Sequence, residues 1–325
     1  MLRSSHAKAA GAFGYFEVTN DVSAFTRAGV FNGVGTRTNV ITRFSAQSSS
    51  RGTADTFRDA KGIAVKFYTS DGNYDLIGLN TRVGITTDGT YFLDNMRASR
   101  CPVTGLPEPD SVFRGMLRNP ESLYSNLVVY SDIGITDGFR HTNYDAMHTF
   151  KWVNANDDVF WVKYHFETEN GIQNLTVADA TETAGVNADY GNQDFYDSIE
   201  NGENPSWILS VQIMPEADAV TYEWDINDST KEWPITDYPR TEVGRLMVNK
   251  IAQDYNIEIE VLGFNPGNIV DGIELSNDIV LRQRIFAYQD AFLARAGRLA
   301  WLYPTNLPHG TNLTDVLRES PGRVD

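Results

Sequence analysis

Apolar positions between residues 11 and 167 recur in short runs broken by turn-forming residues, which is the punctuation of strands. Ile63-Ala64-Val65-Lys66-Phe67-Tyr68 followed by Ser70-Asp71-Gly72-Asn73 is the clearest case. The same reading predicts strands over 13–18, 40–45, 148–153, 159–167, 207–214 and 257–262, with Asn170-Gly171 as a tight turn. A chain with so many strands is expected to curl its sheet into a barrel, because closure removes exposed edges. The stretches 111–130 and 177–199 read as helix and loop. The strongest helix signal comes late: Ser276 or Asn277 can cap a segment that stops near Gly297.

On that helix Leu281, Arg284, Ile285, Tyr288, Phe292 and Arg295 share one face. The face should be buried, yet it carries two arginines and a phenol. A phenol has an ordinary pKa near ~10, so holding it ionised at neutral pH needs a metal, a fixed positive neighbour, or both. Arg284, one turn before Tyr288, can supply that neighbour, and tyrosinate is among the few side chains used as an axial haem ligand. Arg295 could reach a propionate. The plainer alternative has both arginines reaching solvent and Tyr288 as an amphipathic core residue. His6, near the terminus, reads either as a solvated side chain or as an acid/base for moving a proton between peroxide oxygens.

Composition narrows the class. The 325 residues include 27 basic and 43 acidic ones, a formal charge of −16 that disfavours nucleic acid as a partner. The single Cys101 excludes an internal disulfide framework and suits a reducing compartment, so a cytoplasmic location is expected. No apolar run is long enough for a membrane span, so no stable membrane insertion is expected. The start of the chain lacks the apolar core of a signal peptide. Phosphate-loop, His-Glu-x-x-His, Cys-x-x-Cys and Gly-x-Ser-x-Gly motifs are missing from the sequence. With no repeat or linker, one domain over 1–325 is expected, its barrel core in 1–265 and a wrapping segment with the late helix in 266–325.

Several segments together resemble the haem catalases over nearly the whole chain. His6-Ala7-Lys8-Ala9-Ala10-Gly11-Ala12-Phe13-Gly14-Tyr15-Phe16-Glu17-Val18-Thr19 is similar to the family's distal-histidine motif. Arg43-Phe44-Ser45, Gly52-Thr53-Ala54-Asp55-Thr56-Phe57-Arg58-Asp59 and Gly62-Ile63-Ala64-Val65-Lys66-Phe67-Tyr68 follow in the family's order. Val153-Asn154-Ala155-Asn156, Tyr164-His165-Phe166 and Gly171-Ile172-Gln173-Asn174-Leu175 continue it, and Arg284-Ile285-Phe286-Ala287-Tyr288 resembles the proximal signature. The resemblance implies an α+β fold, an eight-stranded antiparallel barrel with surrounding helices, and haem b as cofactor. It implies Tyr288 as axial ligand with Arg284 as its partner, and Asp278 and His165 extending that charge relay. Arg3, Arg43 and Arg295 would pair with propionates, and Phe92 would stack on the porphyrin. His6 would be the distal acid/base, Ser45 its hydrogen-bond partner, and Asp59 an acidic lining of the access channel.

Departures from the family pattern accompany the likeness. Leu79 stands where the family places a distal asparagine, unless Asn80 takes that place through a one-residue shift. Loss of one polar donor at a reacting centre costs on the order of 10² to 10³ in rate. Gly84-Ile85 replaces a bulky aromatic pair and is expected to open volume on the distal side, and Gln47 replaces a small apolar residue in the channel. Ser5 stands where a valine is usual, and its hydroxyl is expected to reach the imidazole. The family's long N-terminal arm and C-terminal helical domain have no counterpart, so NADPH is not expected and any homo-oligomer, dimer or tetramer, should be weaker. The first reading is therefore disproportionation of hydrogen peroxide. The alternative is an organic-hydroperoxide isomerase or lyase resembling catalase-related allene oxide synthase; a haem sensor or store ranks last.

Overall fold

In a computed structural model that describes residues 3, 5–47, 50–92, 94, 100–106, 108–297 and 302–309, nine strands form one antiparallel sheet. They are β1 (Ala9–Val18), β2 (Arg37–Ala46), β3 (Lys61–Thr69), β4 (Gly72–Leu79), β5 (Tyr144–Val153), β6 (Val159–Thr168), β7 (Ser206–Pro215), β8 (Arg240–Ile251) and β9 (Ile273–Leu275). The order β4-β3-β2-β1-β8-β7-β6-β5-β9, with a further pairing of β4 to β5 at Leu79 and Asp145, closes the first eight into a barrel. Among the described residues four longer helices interrupt the strands, α1 (Pro109–Arg118), α2 (Leu123–Tyr130), α3 (Val177–Val186) and α4 (Tyr190–Glu200), with a single helical turn over Glu216–Ala219. The late helix, α5, runs over Ile279–Ala296.

Side chains alternate across each strand, and here the alternation sorts them by task. Phe16, Phe44, Phe67, Tyr74, Trp152, Tyr164 and Trp207 point inward and form one buried core with Phe31. Within it Trp152 Nε1 donates to Tyr164 Oη at 2.7 Å. Val270, Ile273 and Leu281 belong to the same core, which joins the segment after the barrel to the barrel itself.

The outward rows of β1 to β4 differ in kind. Register pairs Ala9 with Ser45, Ser45 with Gly62 and Gly62 with Leu79 in one row, and Gly11, Arg43, Ala64 and Ile77 in the next. Ala9, Gly62 and Ala64 keep part of this surface shallow, and it is where the candidate site lies.

The strands predicted over 13–18, 40–45, 63–68, 148–153, 159–167 and 207–214 are present. The one predicted over 257–262 is not: Asn256–Glu260 is a short helix with i to i+5 hydrogen bonding. Local acceptors initiate it, since Asp254 Oδ1 takes the N–H groups of Asn256 and Ile257, and Glu258 Oε2 those of Gln253 and Asp254. Helix α5 is capped by Asp278, whose carboxylate accepts Leu281 N–H at 3.1 Å, rather than by Ser276 or Asn277.

Candidate active site

The amide N–H of His6 donates to Gln47 O at 2.9 Å, which ties the first described residues to the end of β2. Its φ of 55° turns the ring over the shallow face, and Nδ1 meets Ser45 Oγ at 2.8 Å. The ring lies deep in the protein although part of its area is open. That desolvation, with the positive fields of Arg43, Arg284 and Arg3 added, lowers its pKa from 6.5 to about 3. The imidazole is therefore neutral near pH 7. Among the described residues its hydrogen-bond partner is Ser45, so the expected contact from Ser5 is not made.

Helix α5 supplies the other half. Arg284 Nη2 donates to Tyr288 Oη at 2.8 Å across one helical turn, with the guanidinium 5.2 Å from the ring centre. At the start of the helix Asp278 Oδ2 lies 2.5 Å from Nδ1 of His148 on β5. Asp278 therefore pairs with His148 and not with His165. His165 lies in the next strand, where it meets Asp145 at 2.5 Å and Gln212 at 3.1 Å. A β-bulge between Ala146 and Phe150 changes the register at His148, which a linear reading of the sequence does not reveal. His148 Nε2 is buried without a hydrogen-bond partner.

Three arginines gather at one edge. Arg3 and Arg295 both donate to the backbone carbonyls of Glu260 and Leu262, the free end of the short helix. Arg43 is 4% exposed, and its Nε and Nη2 are buried with no hydrogen-bond partner. Burial lowers the pKa of all three; the field of Glu260 opposes that shift in each. A buried guanidinium with unpaired donors is costly unless an anion completes it. Phe92 is held through its N–H to Gly89 O, and Gly89 is in turn bonded to Gln283 of α5; its ring is 37% exposed.

The residues at which the sequence departs from the family resolve as follows. Leu79 faces the site, because a Cβ placed on Gly62 would meet Leu79 Cδ2 at 3.2 Å and His6 Cε1 at 3.1 Å. Asn80 faces away, and no one-residue shift occurs: its Oδ1 accepts Lys61 N–H and its Nδ2 donates to Ile133 O, both at 2.9 Å. Gly84 opens no space, since an added Cβ would lie 2.8 Å from Ser229 Oγ and 3.4 Å from Met147 Sδ. Asp59 is buried, with its N–H on Gly134 O, beside Lys61. Gln47 contributes its carbonyl to His6 and its N–H to Ala60 O.

The family's sequence profile, described as Catalase, matches residues 2–324. The chain belongs to the catalase family. The catalase of Methanosarcina barkeri is 41% identical over 324 residues, 99% of this chain and 64% of that protein. The bromoperoxidase-catalase of Streptomyces venezuelae is 44% identical over 310 residues, 95% of this chain and 64% of its own length. Catalase A from Saccharomyces cerevisiae superposes with a TM-score of 0.94 at 36% identity, over 96% of this chain and 64% of the yeast structure. The chain thus spans less than two thirds of the length of these catalases. Family membership implies a haem cofactor in general, and the site here fits one. The fit rests on Arg43, whose Nε and Nη2 are buried without a hydrogen-bond partner and would be completed by a carboxylate at the ring's edge. Among the described residues no helix is long and apolar enough to cross a membrane.

Proposed function

We propose that this chain converts hydrogen peroxide to water and dioxygen with haem b held through the Tyr288 phenolate. The observation that carries the reading is the pairing of two half-sites in one fold. Arg284 lies 2.8 Å from Tyr288 Oη, and His6 is bonded to Ser45 at 2.8 Å within the electrostatic reach of that same Arg284.

Each residue then has a task that follows from its surroundings. Tyr288 is the ligand, and Arg284 stabilises negative charge on its oxygen. The carboxylate of Asp278 holds His148 and caps α5, so the orientation of the helix and of the ligand on it are fixed together. Arg43 pairs with a haem carboxylate, with Arg3 and Arg295 beside it; Phe92 packs on the ring. Haem bound there supplies iron able to exchange two electrons with peroxide.

His6 supplies the proton transfer. Ser45 occupies Nδ1, so Nε2 is left to act. A neutral imidazole can take a proton from one peroxide oxygen and return it to the other as water leaves. Asp59, beside the buried Lys61, lines the approach. Two observations weaken the isomerase alternative: the space expected at Gly84 is filled, and the Ser5 hydroxyl is not on the imidazole. The test is Tyr288→Phe purified beside the parent chain. It should fold, by circular dichroism, yet lose haem; normal haem occupancy in that variant would remove Tyr288 as ligand.

A further inference from the structure

The row that carries Ser45 and Gly62 ends on Leu79. Leu79 Cδ2 and His6 Cε1 both approach within 3.2 Å of the point where Gly62 would bear a Cβ. An isobutyl group and an imidazole therefore close on one small volume from two sides. The polar side chains next in line are committed elsewhere: Ser45 to His6 Nδ1, and the Asn80 amide to Lys61 N–H and Ile133 O. Further along the face the neighbours of Leu79 are Ile77 and Ala64. A peroxide seated beside His6 has that ring as its polar partner and meets hydrocarbon on the Leu79 side.

We infer that Leu79 is a specificity-determining residue that turns the site away from hydrogen peroxide and toward hydroperoxides carrying a small alkyl group on one oxygen. The inference rests on the peroxide-decomposing reading above. Hydrogen peroxide has a hydroxyl at each end, and against Leu79 one of them loses its hydrogen bond to water without replacement. An alkyl hydroperoxide puts carbon there and gains from the burial. The chemistry balances with hydrogen peroxide as co-reactant. The O–O bond of the alkyl hydroperoxide breaks, and its alkoxy oxygen leaves as alcohol with the proton carried by His6. Hydrogen peroxide then returns two electrons and two protons and is oxidised to dioxygen, while the remaining hydroperoxide oxygen leaves as water.

The test uses haem-loaded parent chain, Leu79→Asn, and the near-isosteric pair Leu79→Val and Leu79→Thr. Stopped-flow Soret changes give the rate constants for hydrogen peroxide and ethyl hydroperoxide, and a cyanide titration gives a dissociation constant that needs no turnover. Leu79→Asn should speed the hydrogen peroxide reaction by about tenfold or more, leave that of ethyl hydroperoxide unchanged or slower, and tighten cyanide several-fold. Leu79→Thr should move the rate ratio the same way while Leu79→Val does not, so the comparison survives if the asparagine variant misfolds. An unchanged ratio across Asn, Thr and Val, with cyanide affinity unchanged, would overturn the role of Leu79 alone. The absence of any Soret response to either peroxide, in parent and variants alike, would instead remove the peroxide reading on which it rests.

Discussion

At the scale of single residues the account turns on His6 and Arg43, both displaced from their ordinary chemistry by burial. His6, its pKa lowered from 6.5 to about 3, stays neutral through the physiological range. The peroxide reaction rate should therefore be flat between about pH 5 and 8, with no inflection at the usual imidazole value; a stopped-flow pH series checks this. The same shift has a stability consequence. Below pH 6.5 the unfolded chain takes up a proton that the folded chain refuses, so stability is fully present above 6.5 and falls as pH drops toward about 3. Arg43 is the guanidinium with unpaired buried donors, whereas Arg3 and Arg295 are already satisfied by the Glu260 and Leu262 carbonyls. Arg43→Leu should weaken haem affinity more than Arg295→Leu, as measured by Soret titration of the haem-free chains.

At the scale of elements, the barrel wall and the strand-to-helix segment are tied by one buried pair. Lys66 Nζ meets both oxygens of Asp75 at 2.7 and 2.9 Å, and Asp75 also accepts Asn265 N–H and Asn268 Nδ2. Removing one partner leaves a buried charge alone, so Asp75→Ala should cost about 3–5 kcal/mol in denaturant unfolding. The same scale shows what the sequence made legible. Helix α5 and six strands announce themselves because their apolar spacing matches their backbone period. Strand β8 hides because a shift at Gly244 and the charges of Arg240, Glu242 and Arg245 break its alternation. Strand β4 hides because its outward positions include Asn73 and Asp75, polar side chains that break the apolar pattern. Residues 257–262 alternate like a strand, yet side-chain acceptors bend them into a helix. The pairing of Arg284 with Tyr288 was readable from helical spacing, and that of His6 with Ser45 only through the family resemblance. His148 was not, because its link to Asp278 spans 130 positions and depends on a bulge. Nor was the turn of the Asn80 amide away from the site, onto Lys61 N–H and Ile133 O.

At the scale of the whole molecule, Leu281, Val270 and Ile273 share one core with the barrel interior. Barrel and late helix should consequently unfold as a unit, giving a single calorimetric transition that haem loading shifts upward; two resolved transitions would separate them. The central claim is most directly tested by oxygen evolution from hydrogen peroxide, normalised to bound haem, in the parent chain and in His6→Ala. The parent should release one dioxygen for every two peroxides consumed. His6→Ala should retain haem but slow by roughly 10²-fold or more. Haem-loaded parent chain that consumes peroxide without releasing dioxygen, or His6→Ala with the parent's rate, would contradict the account.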